Sequence, residues 1–461
     1  MSVPPGFVDV RHAGFNWVVV RGHESAVTAL SDWSRDGLAA NSACRILKEE
    51  PKRFAAFVDL AGRTYFLKSQ THARRGFATF RKSAGRKEWD HTLFAQSKGL
   101  PTPAPIAFGE RRRLFGTCRT ILIFERVERE TLTDWVEAKL KDEPARVPPV
   151  LEAVGALLRR IHDAGLLHWD FHPDNVLIRF ETGPVFTLID LKSAEISDAP
   201  RAGRLENVAK TLLLLARFGV LAPWRPADRD AFLRGYLRGK GRPDEFFAEL
   251  LPFLARRGRM MTEHIRTDFE EGGPRYAPRR EGPLTLYFRE DSNRNIGIEL
   301  LPPEWRSARR LLEAADSLEG RLAPSTRPGW SLFLRRVDPR PARPFWFHAL
   351  RGAALTLPCP LPLALVEENG EARAICLAVE GDLRPATAGA APTDPLAEAL
   401  HALDYSAGAV EACHLRVRPA RGGHEVPTLL LVFPEAAADR PGITAEERLA
   451  EKKRLARLLP G

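Results

Sequence analysis

The sequence has few cysteines, and none of them stands where a metal site or a cross-link would need it. The five cysteines (Cys44, Cys118, Cys359, Cys376 and Cys413) are scattered along 461 residues, with no C-x-x-C pair and no histidine nearby at metal-ligand spacing. This distribution argues against a zinc site and against a disulfide framework, and it is typical of a reducing compartment.

Long apolar runs are also missing. Phe15–Val20 is too short for the hydrophobic region of a signal peptide, and Arg21 follows it directly. The longest uncharged stretch, residues 352–366, contains three prolines and is too short to span a bilayer. We therefore expect a soluble, cytoplasmic protein whose only membrane contact is peripheral, at the inner face.

Acidic residues are fewer than basic ones, which leaves a net charge of +10. Such a charge favours anionic partners such as nucleotides, phosphorylated sugars or acidic lipids, although an arginine-rich surface without a specific partner explains it equally well. The basic residues lack interleaved aromatics and no nucleic-acid-binding module is present, so nucleic acid is not an expected partner. The length is sufficient for two or three domains.

Residues 165–195 carry the pattern that points to chemistry. It contains His168-x-Asp170, then Asn175, then an apolar run that ends in Asp190. This order and spacing are those of a phosphoryl-transfer centre, in which Asp170 would accept the proton of the attacking hydroxyl. Asn175 and Asp190 are hard oxygen ligands that suit Mg²⁺. Two strands, Val176–Arg179 and Val185–Leu191, are predicted to form a hairpin that brings both ligands to one ion.

Two further residues upstream fit the same chemistry. Lys68 lies in a predicted strand, Arg63–Ser69, where it is either a solvent-facing residue or a phosphate-binding one. Glu88 opens a predicted helix, Glu88–Gly99, and such a helical glutamate orients the strand lysine in kinases. An amphipathic helix is predicted at residues 150–164, and two strongly apolar helices, interpreted as core scaffold, are predicted at 205–218 and 227–237.

Between Cys44 and Tyr236 the chain resembles the Kdo/WaaP-type lipopolysaccharide kinases, a branch of the protein-kinase-like superfamily. The resemblance rests on FLKS at Lys68, KEWD at Glu88, HWDFHPDN at 168–175 and LIDLKSAE at 188–195. It implies a bilobal α+β kinase-like fold and use of ATP with Mg²⁺, or with Mn²⁺ as the alternative metal. By the resemblance Lys68 and Glu88 bind the nucleotide as an ion pair, Asp170 is the catalytic base, Asn175 and Asp190 hold the metal, and His168 braces the loop.

The sequence departs from protein kinases in two ways. No G-x-G-x-x-G precedes Lys68, and residues 48–53 (KEEPKR) stand where a phosphate-covering loop would lie. Leu191–Lys192 follows Asp190 in place of Phe-Gly, and no A-P-E element comes after it. We therefore expect a small-molecule kinase without a protein-kinase activation segment. The HPDN portion resembles aminoglycoside and choline kinases equally well.

The C-terminal part repeats the spacing of the first part. Trp89 precedes three prolines (Pro101, Pro103 and Pro105) by the same intervals at which Trp346 precedes Pro358, Pro360 and Pro362. SLFLRRV (331–337) is similar to TYFLKSQ, CPLPLALVE to TPAPIAFGE, VPTLLLVFPE to VFTLIDLKSAE, and the predicted last helix, 444–459, to residues 205–218. In this alignment the functional residues are replaced: Arg335 stands for Lys68, Phe345 for Glu88, Cys413 for Asp170 and Leu431 for Asp190.

These observations predict four segments and one principal activity. The segments are an N-terminal extension (1–43), a catalytic kinase-like domain (44–271), a linker (272–283) and a degenerate second kinase-like domain (284–461). The expected activity is transfer of the γ-phosphoryl group of ATP to a hydroxyl of a lipopolysaccharide core sugar or related glycolipid, with the anionic acceptor and ATP as partners. Two alternatives stay open: a kinase of proteins or other small molecules, and a nucleotide-binding scaffold without catalysis.

Overall fold

A computed structural model shows a mixed α+β chain, described here over most of residues 6–380 and over five short strands beyond. The described ranges are 6–50, 52–73, 82–112, 117–142, 146–217, 226–270, 278–288, 290–291, 296–297, 300–318, 322–326, 330–337, 361–380, 384–385, 405–406, 415–418, 428–431 and 438–439. The chain divides into two compact units: unit 1 is Met1–Ala138 with Ala156–Asn207, and unit 2 is Lys139–Gly155 with Val208–Gly461.

Unit 1 contains twelve strands among its described residues. They are β1 (Phe7–His12), β2 (Phe15–Val20), β3 (Cys44–Glu50), β4 (Arg53–Leu60), β5 (Arg63–Ala73), β6 (Pro105–Arg112), β7 (Thr117–Glu125), β8 (Glu130–Thr131), β9 (Leu166–His168), β10 (Val176–Phe180), β11 (Pro184–Leu188) and β12 (Ala194–Ile196). The first seven form one antiparallel sheet in the order β1-β2-β6-β7-β5-β4-β3, while β11-β10-β8 and β12-β9 form small sheets.

The helices follow in chain order. Unit 1 holds α1 (Glu24–Thr28), α2 (Arg35–Ala39) and α3 (Ala84–Ser97); α4 (Leu132–Asp142), α5 (Val147–Asp163) and α6 (Arg201–Arg217) have residues in both units; α7 (Pro226–Leu237), α8 (Pro243–Glu270) and α9 (Ala308–Leu318) belong to unit 2. Among the described residues, none of these helices is both long and apolar enough to cross a membrane.

The period-two pattern of β5 explains why it occupies the interior of the sheet. Tyr65 and Leu67 are buried in one core, whereas Phe66 and Lys68 alternate to the opposite face. Strand β4 turns into β5 through Ala61 and Gly62, both with positive φ (48° and 78°), as a two-residue hairpin requires. The sheet therefore presents Lys68 from a strand bonded on both sides, opposite Ala55 of β4 and Leu122 of β7.

The first core packs beneath one face of this sheet. Its largest fully buried side chains are Trp17 and Trp33, whose ring centroids lie 4.9 Å apart. Trp17 comes from β2, and Trp33 precedes α2. The N-terminal residues thus contribute two strands and two short helices to unit 1, where the sequence shows no clear period.

Unit 2 contains a six-stranded antiparallel sheet in the order β13-β14-β19-β20-β18-β17. The strands are β13 (Arg279–Glu281), β14 (Leu284–Phe288), β15 (Glu290–Asp291), β16 (Ile296–Gly297), β17 (Leu322–Pro324), β18 (Trp330–Arg336), β19 (Leu361–Glu368), β20 (Glu371–Glu380), β21 (Arg384–Pro385), β22 (Tyr405–Ser406), β23 (Leu415–Arg418), β24 (Thr428–Leu431) and β25 (Ala438–Asp439). Helix α9 packs on this sheet through Leu311, Ala314 and Ala315.

Several predicted features differ from the structure or lie outside it. Helix α3 begins at Ala84, four residues before the predicted start, because Ser83 caps its N-terminus and accepts from the Arg86 N–H. The strand predicted to end at Leu191 ends at Leu188. Some residues used in the predictions lie outside the described part of the chain. They are residue 51, the basic segment 74–81, residues 271–277 at the linker, Phe345, Trp346, Pro358, Pro360, Cys413 and the predicted helix 444–459.

Candidate active site

The centre of the site is the ammonium of Lys68. Its Nζ lies 2.9 Å from Oε1 of Glu88 and 3.0 Å from Oδ1 of Asp190. Lys68 comes from β5, Glu88 from α3, and Asp190 from the loop after β11. Three residues separated widely in sequence therefore meet at one point within unit 1.

Glu88 is held in place by the packing of its helix. The neighbouring Trp89 is buried and stacks on Phe108 of β6 (ring centroids 6.0 Å apart) while meeting Phe7 of β1 edge-on. This contact fastens α3 to the sheet face that carries Lys68. Glu88 itself lies in the second turn and is 2% exposed, so its carboxylate is directed inward.

Burial and ion pairing compete at these two residues. Burial raises the pKa of Glu88, and the nearby Lys68 ammonium offsets only part of that effect. For Lys68, burial alone would lower the pKa, but the Glu88 and Asp190 carboxylates outweigh it and the pKa is raised. The Lys68 side chain is therefore protonated and positively charged at neutral pH, as a phosphate-binding residue needs to be.

Asp190 is strained and fully ionised. Its backbone adopts the left-handed conformation (φ 56°, ψ 58°), which few non-glycine residues take and which is concentrated at functional sites. Burial of the carboxyl raises its pKa, but the ammoniums of Lys68 and Lys192 more than offset this and hold the pKa at about 2. Lys192 Nζ lies 2.8 Å from Oδ2, so a lysine contacts each carboxylate oxygen.

The loop that carries Asp170 is tied together by backbone groups. The carbonyl of Asp170 accepts from the His172 N–H and from Nδ2 of Asn175, each at 2.9 Å. Because the Asn175 amide nitrogen donates here, its Oδ1 remains as an acceptor. The Ile189 N–H donates to the Asn175 carbonyl at 3.0 Å, which links the loop to the residue before Asp190.

His168 lies behind this loop. Its Nδ1 accepts from the Asp170 N–H at 3.3 Å, and its ring meets Phe171 edge-on. Burial lowers the pKa of His168 to about 4, so the ring is neutral at pH 7. A neutral, fully buried ring that bonds the loop backbone has a positioning geometry and no access to a substrate.

The side-chain oxygens available for a metal suit Mg²⁺. An ionised Asp190 and the amide oxygen of Asn175 are hard ligands, and Mg²⁺ commonly uses one or two protein oxygens together with substrate phosphates and water. The described residues contain no cluster of three or more histidine, cysteine or acidic side chains at metal-binding distance. The donor set therefore fits a magnesium ion shared with a nucleotide better than an ion held by protein alone.

The turn that follows β3 differs from a glycine-rich loop. Strand β3 ends at Glu50 and β4 begins at Arg53, and these two residues are paired in the sheet. Only two residues connect the strands, so this hairpin has no long flexible cover. The absence of G-x-G-x-x-G in the sequence thus corresponds to a short, charged connection.

Two residues of the site escaped the sequence analysis. His91 Nδ1 lies 2.8 Å from the carbonyl oxygen of Leu191, which joins α3 to the turn after Asp190. His91 is three residues after Glu88, on the same face of the helix, and that spacing was the available signal. Lys192, two residues after Asp190, had no sequence signal beyond its proximity to the motif.

Comparison with known proteins shows that the segment around this site is similar to a family of kinases. Residues 46–236 match the model of the Lipopolysaccharide kinase (Kdo/WaaP) family. A curated relative, 3-deoxy-D-manno-octulosonic acid kinase of Mannheimia succiniciproducens, is 29% identical over 118 residues, which make up 25% of this chain and 48% of the relative. The chain thus spans about half the length of that relative.

A solved structure, WaaP in complex with acyl carrier protein, is also similar. The match has 22% sequence identity and a TM-score of 0.38, and it covers 49% of this chain and 90% of that one. The matched segment 46–236 contains Lys68, Glu88, Asp170, Asn175 and Asp190. Residues 46–236, which hold all five of these side chains, are thus similar to the lipopolysaccharide kinase (Kdo/WaaP) family.

Proposed function

We propose that the protein is a kinase that transfers the γ-phosphoryl group of ATP, with Mg²⁺, to a hydroxyl of a lipopolysaccharide core sugar or related glycolipid. The observation that carries this proposal is the contact of Lys68 with both Glu88 and Asp190. A lysine fixed by a helical glutamate and placed beside a metal-binding aspartate is the arrangement that kinases use to hold nucleotide phosphates.

Each residue has a separate task in this proposal. Lys68 binds the nucleotide phosphates, and Glu88 holds its ammonium in place. Asp190 and Asn175 would hold Mg²⁺, which neutralises negative charge that develops on the phosphates during transfer. Asp170 accepts the proton of the attacking hydroxyl, since its carboxylate is 36% exposed while its backbone fixes the loop.

The similarity of residues 46–236 to the lipopolysaccharide kinase (Kdo/WaaP) family supports the acceptor class. Sugars of lipopolysaccharide carry anionic groups, and a net charge of +10 favours such acceptors. Part of the local basic charge is already neutralised, because Lys82 and Arg86 both pair with Asp90. The attraction therefore depends on the total charge of the chain more than on these two residues.

The test is phosphoryl transfer by the purified protein with Mg²⁺ and γ-labelled ATP. Lipopolysaccharide and its core oligosaccharide should become labelled, and Asp190→Asn should reduce labelling by more than about 100-fold because it removes the charged metal ligand. Asp198→Asn, which alters an exposed aspartate in the same unit, is the matched control and should keep full activity.

The acceptors separate the proposed function from its alternatives. Labelling of a protein or a small molecule in a cell extract, with none on lipopolysaccharide, would assign a different kinase activity to the same site. Binding of ATP without transfer to any acceptor would support a nucleotide-binding scaffold and reject the proposal.

A further inference from the structure

Lys192 lies inside the site but has no role in the mechanism described above. It belongs to the 3-10 turn Leu191–Ser193, and its Nζ contacts Oδ2 of Asp190 at 2.8 Å. Lys68 contacts the other oxygen at 3.0 Å. The Asp190 carboxylate thus contacts two ammoniums, one from Lys68, far before it in the sequence, and one from Lys192, two residues after it.

The turn that carries Lys192 leads back to the loop of Asp170. It continues into β12, whose Ala194 pairs with His168 of β9, and His168 Nδ1 accepts from the Asp170 N–H at 3.3 Å. In the same loop, His172 Nε2 lies 3.9 Å from Asp170 Oδ2. Lys192 therefore lies on the short segment that connects Asp190 to the strand pair carrying the catalytic loop.

The contact between Lys192 and Asp190 is easily exchanged. The Lys192 side chain is 26% exposed, and partly exposed ion pairs contribute little net stability. Its four-carbon chain can rotate the ammonium to a new anion without moving the backbone. A phosphate offers stronger, charge-assisted hydrogen bonds than this carboxylate contact.

We propose that Lys192 is a second phosphate-binding lysine, which contacts the γ-phosphoryl group while Lys68 binds the phosphates nearer the nucleoside. This proposal rests on the proposed function. Its position on the turn between Asp190 and β12, which pairs with the strand that leads into the catalytic loop, favours the terminal phosphate over the inner ones. No bond is made or broken by Lys192; it neutralises charge on the group that is transferred.

The experiment compares binding of two nucleotides by calorimetry with Mg²⁺: ADP, and an ATP analogue whose γ-phosphoryl group cannot be transferred. In Lys192→Met we expect about 10-fold weaker binding of the triphosphate and less than about 3-fold change for ADP, as loss of one charge-assisted bond predicts. Lys192→Arg should restore most of the difference. Lys98→Met, an exposed lysine of unit 1, is the matched control and should bind both nucleotides normally.

Equal losses for both nucleotides, or no loss for either, would overturn the role of Lys192 and leave the proposed function intact. If the wild-type protein binds neither nucleotide, the proposed function itself fails. The readout is binding, so it does not depend on having found the acceptor.

An independent observation concerns the two large sheets. Unit 1 has the order β1-β2-β6-β7-β5-β4-β3, and unit 2 has the order β13-β14-β19-β20-β18-β17. The first six strands of each sheet follow the same order. The first two strands in the chain form a hairpin at one edge. The last two strands in the chain come next, and the two strands that precede those in the chain follow in reverse order. All pairs are antiparallel in both.

The registers of the two sheets also agree. In unit 1 one row across four strands runs through Lys68, Leu122, Phe108 and Val18. In unit 2 the equivalent row runs through Arg335, Ile375, Leu365 and Tyr287. Sequence similarity had paired Lys68 with Arg335 and Phe108 with Leu365 in two separate blocks, and the hydrogen-bond register now connects those blocks through a third strand.

A local irregularity is shared as well. The pairing of β6 with β7 is shifted between Pro105 and Ala107, and the pairing of β19 with β20 is shifted between Pro362 and Ala364. These are the positions that the repeated proline spacing makes equivalent. Strand β19 has one further shift, between Val366 and Glu367, that β6 lacks. Bulges tend to persist within families, so a shared bulge argues for common origin.

The buried faces correspond too. The first core includes Phe15, Trp17, Val19, Leu67, Ala107, Ile121 and Ile123. The equivalent register positions in unit 2 lie in the core that its sheet forms with α9: Leu284, Leu286, Phe288, Leu334, Ala364, Ala374 and Cys376. Helices inserted after the first hairpin pack on this face in each sheet: α1 and α2 in unit 1, α9 in unit 2.

We infer that residues 279–380 are a second copy of the sheet formed by residues 7–125, in which Arg335 stands at the position of Lys68. Arginine does not replace a lysine simply at a site shaped for a compact ammonium. The second copy therefore lacks the phosphate-binding lysine, and we expect a single nucleotide site among the residues that the structure describes, in unit 1.

The stoichiometry of nucleotide binding tests this inference on the full-length chain. Calorimetry with Mg²⁺ and the ATP analogue should give one nucleotide per chain, lost in Lys68→Met and unchanged in Arg335→Met. Two nucleotides per chain, or binding that survives Lys68→Met and is lost in Arg335→Met, would overturn the inference. No binding by the wild type would instead count against the proposed function.

Discussion

Asp170 is the residue whose substitution separates binding from chemistry. Its hydrogen bonds with His172 and Asn175 are made through its backbone carbonyl, so Asp170→Asn leaves these bonds of the loop intact. We expect kcat to fall by about 10²- to 10⁴-fold, the usual contribution of a general base, while nucleotide affinity changes by less than about 2-fold. Steady-state kinetics with labelled ATP and calorimetry measure the two quantities.

The control for this prediction is Asp198→Asn, which changes an exposed carboxylate of the same unit. A loss of only a few-fold in Asp170→Asn would show that another group takes the proton. A parallel loss of nucleotide affinity would mean that the substitution disturbs the loop.

At this scale the sequence allowed prediction where the spacing of functional residues is constrained by their chemistry. Lys68, Glu88 and Asp190 were chosen on that basis. In the structure, carboxylate oxygens of Glu88 and Asp190 lie within 3.0 Å of the Lys68 ammonium. Lys192 and His91 could not be found this way. Their partners, Asp190 Oδ2 and the Leu191 carbonyl, become neighbours only when a turn and a helix have packed.

Two linked hydrogen bonds, called here the His162 network, connect the elements behind the loop that carries Asp170. His162, in the last turn of α5, donates through Nε2 to Oδ1 of Asn207 on α6 at 2.9 Å. Nδ2 of Asn207 donates to the carbonyl of His168 on β9 at 3.0 Å. All three residues are fully buried, so the His162 network joins two helices and a strand by hydrogen bonds that water does not replace.

The His162 network makes the free energy of unfolding sensitive to acid. Burial lowers the pKa of His162 from 6.5 to about 4, and the bond to Asn207 only partly offsets it. Between those pH values the unfolded state binds a proton that the folded state does not, so stability is complete above pH 6.5 and falls as pH decreases. The slope is about 1.4 kcal/mol per pH unit for one such histidine.

His162→Gln should remove that slope and keep a donor to Asn207. Chemical unfolding of wild type and variant between pH 4 and pH 8 measures it, with the flat region above pH 7 as internal control. Identical slopes in both proteins would contradict the prediction. His168 has a similarly lowered pKa and retains its own slope in the variant.

A second element-level feature is the close approach of α5 and α7 at Gly155. A Cβ atom there would overlap the backbone carbonyl of Phe232 and crowd the Tyr236 N–H. Helix propensity alone favours alanine over glycine by about 1 kcal/mol, whereas overpacking against a backbone costs about 1 to 3 kcal/mol. We therefore expect Gly155→Ala to destabilise the protein in urea unfolding.

Gly203→Ala in α6 is the comparison variant. Its Cβ would lie 3.2 Å from Cδ1 of Leu167, the end of a side chain that can shift. The stability of this variant should stay within about 1 kcal/mol of wild type. Stabilisation by Gly155→Ala would show that the two helices separate at that point.

Elements with a clear period were predictable, and those shaped by context were not. Strand β5 was predicted as Arg63–Ser69, within a few residues of its observed bounds, because its pattern alternates. In β2, Val18, Val19 and Val20 are apolar on both faces, which hides the alternation that burial then imposes. Helix α8 was not predicted; its Pro252 and its many charges interrupt the pattern that propensity would recognise.

For the whole molecule, net charge governs encounters with anionic surfaces. A charge of +10 should give binding to vesicles that contain anionic phospholipid. Raising salt from 0.1 M to 1 M shortens the screening length from about 10 Å to about 3 Å, so co-sedimentation should decrease markedly. Vesicles of neutral phosphatidylcholine are the control, and binding that is indifferent to both salt and lipid charge would contradict the prediction.

The predicted second domain began at residue 284, but sequence similarity supported it only from SLFLRRV (331–337) onward. The blocks that could be matched by eye began near SLFLRRV, where apolar strand residues resemble each other. The hairpin β13–β14 has no such similarity to β1–β2: Phe15, Trp17 and Val19 correspond to Leu284, Leu286 and Phe288. Volume is conserved at these positions only in sum across the core, so the equivalence becomes visible through strand order and register.

Two sheets with the same strand order on one chain create a hazard during folding. Strands such as β5 and β18 have similar patterns and seek similar partners, so each can pair transiently with a strand of the other copy. Repeat proteins are prone to such misassembly, which is avoided when the N-terminal copy folds first during synthesis. The divergence of core residues between the copies, such as Trp17 against Leu286, then acts as a kinetic safeguard, because a strand in the wrong sheet finds a core of the wrong shape.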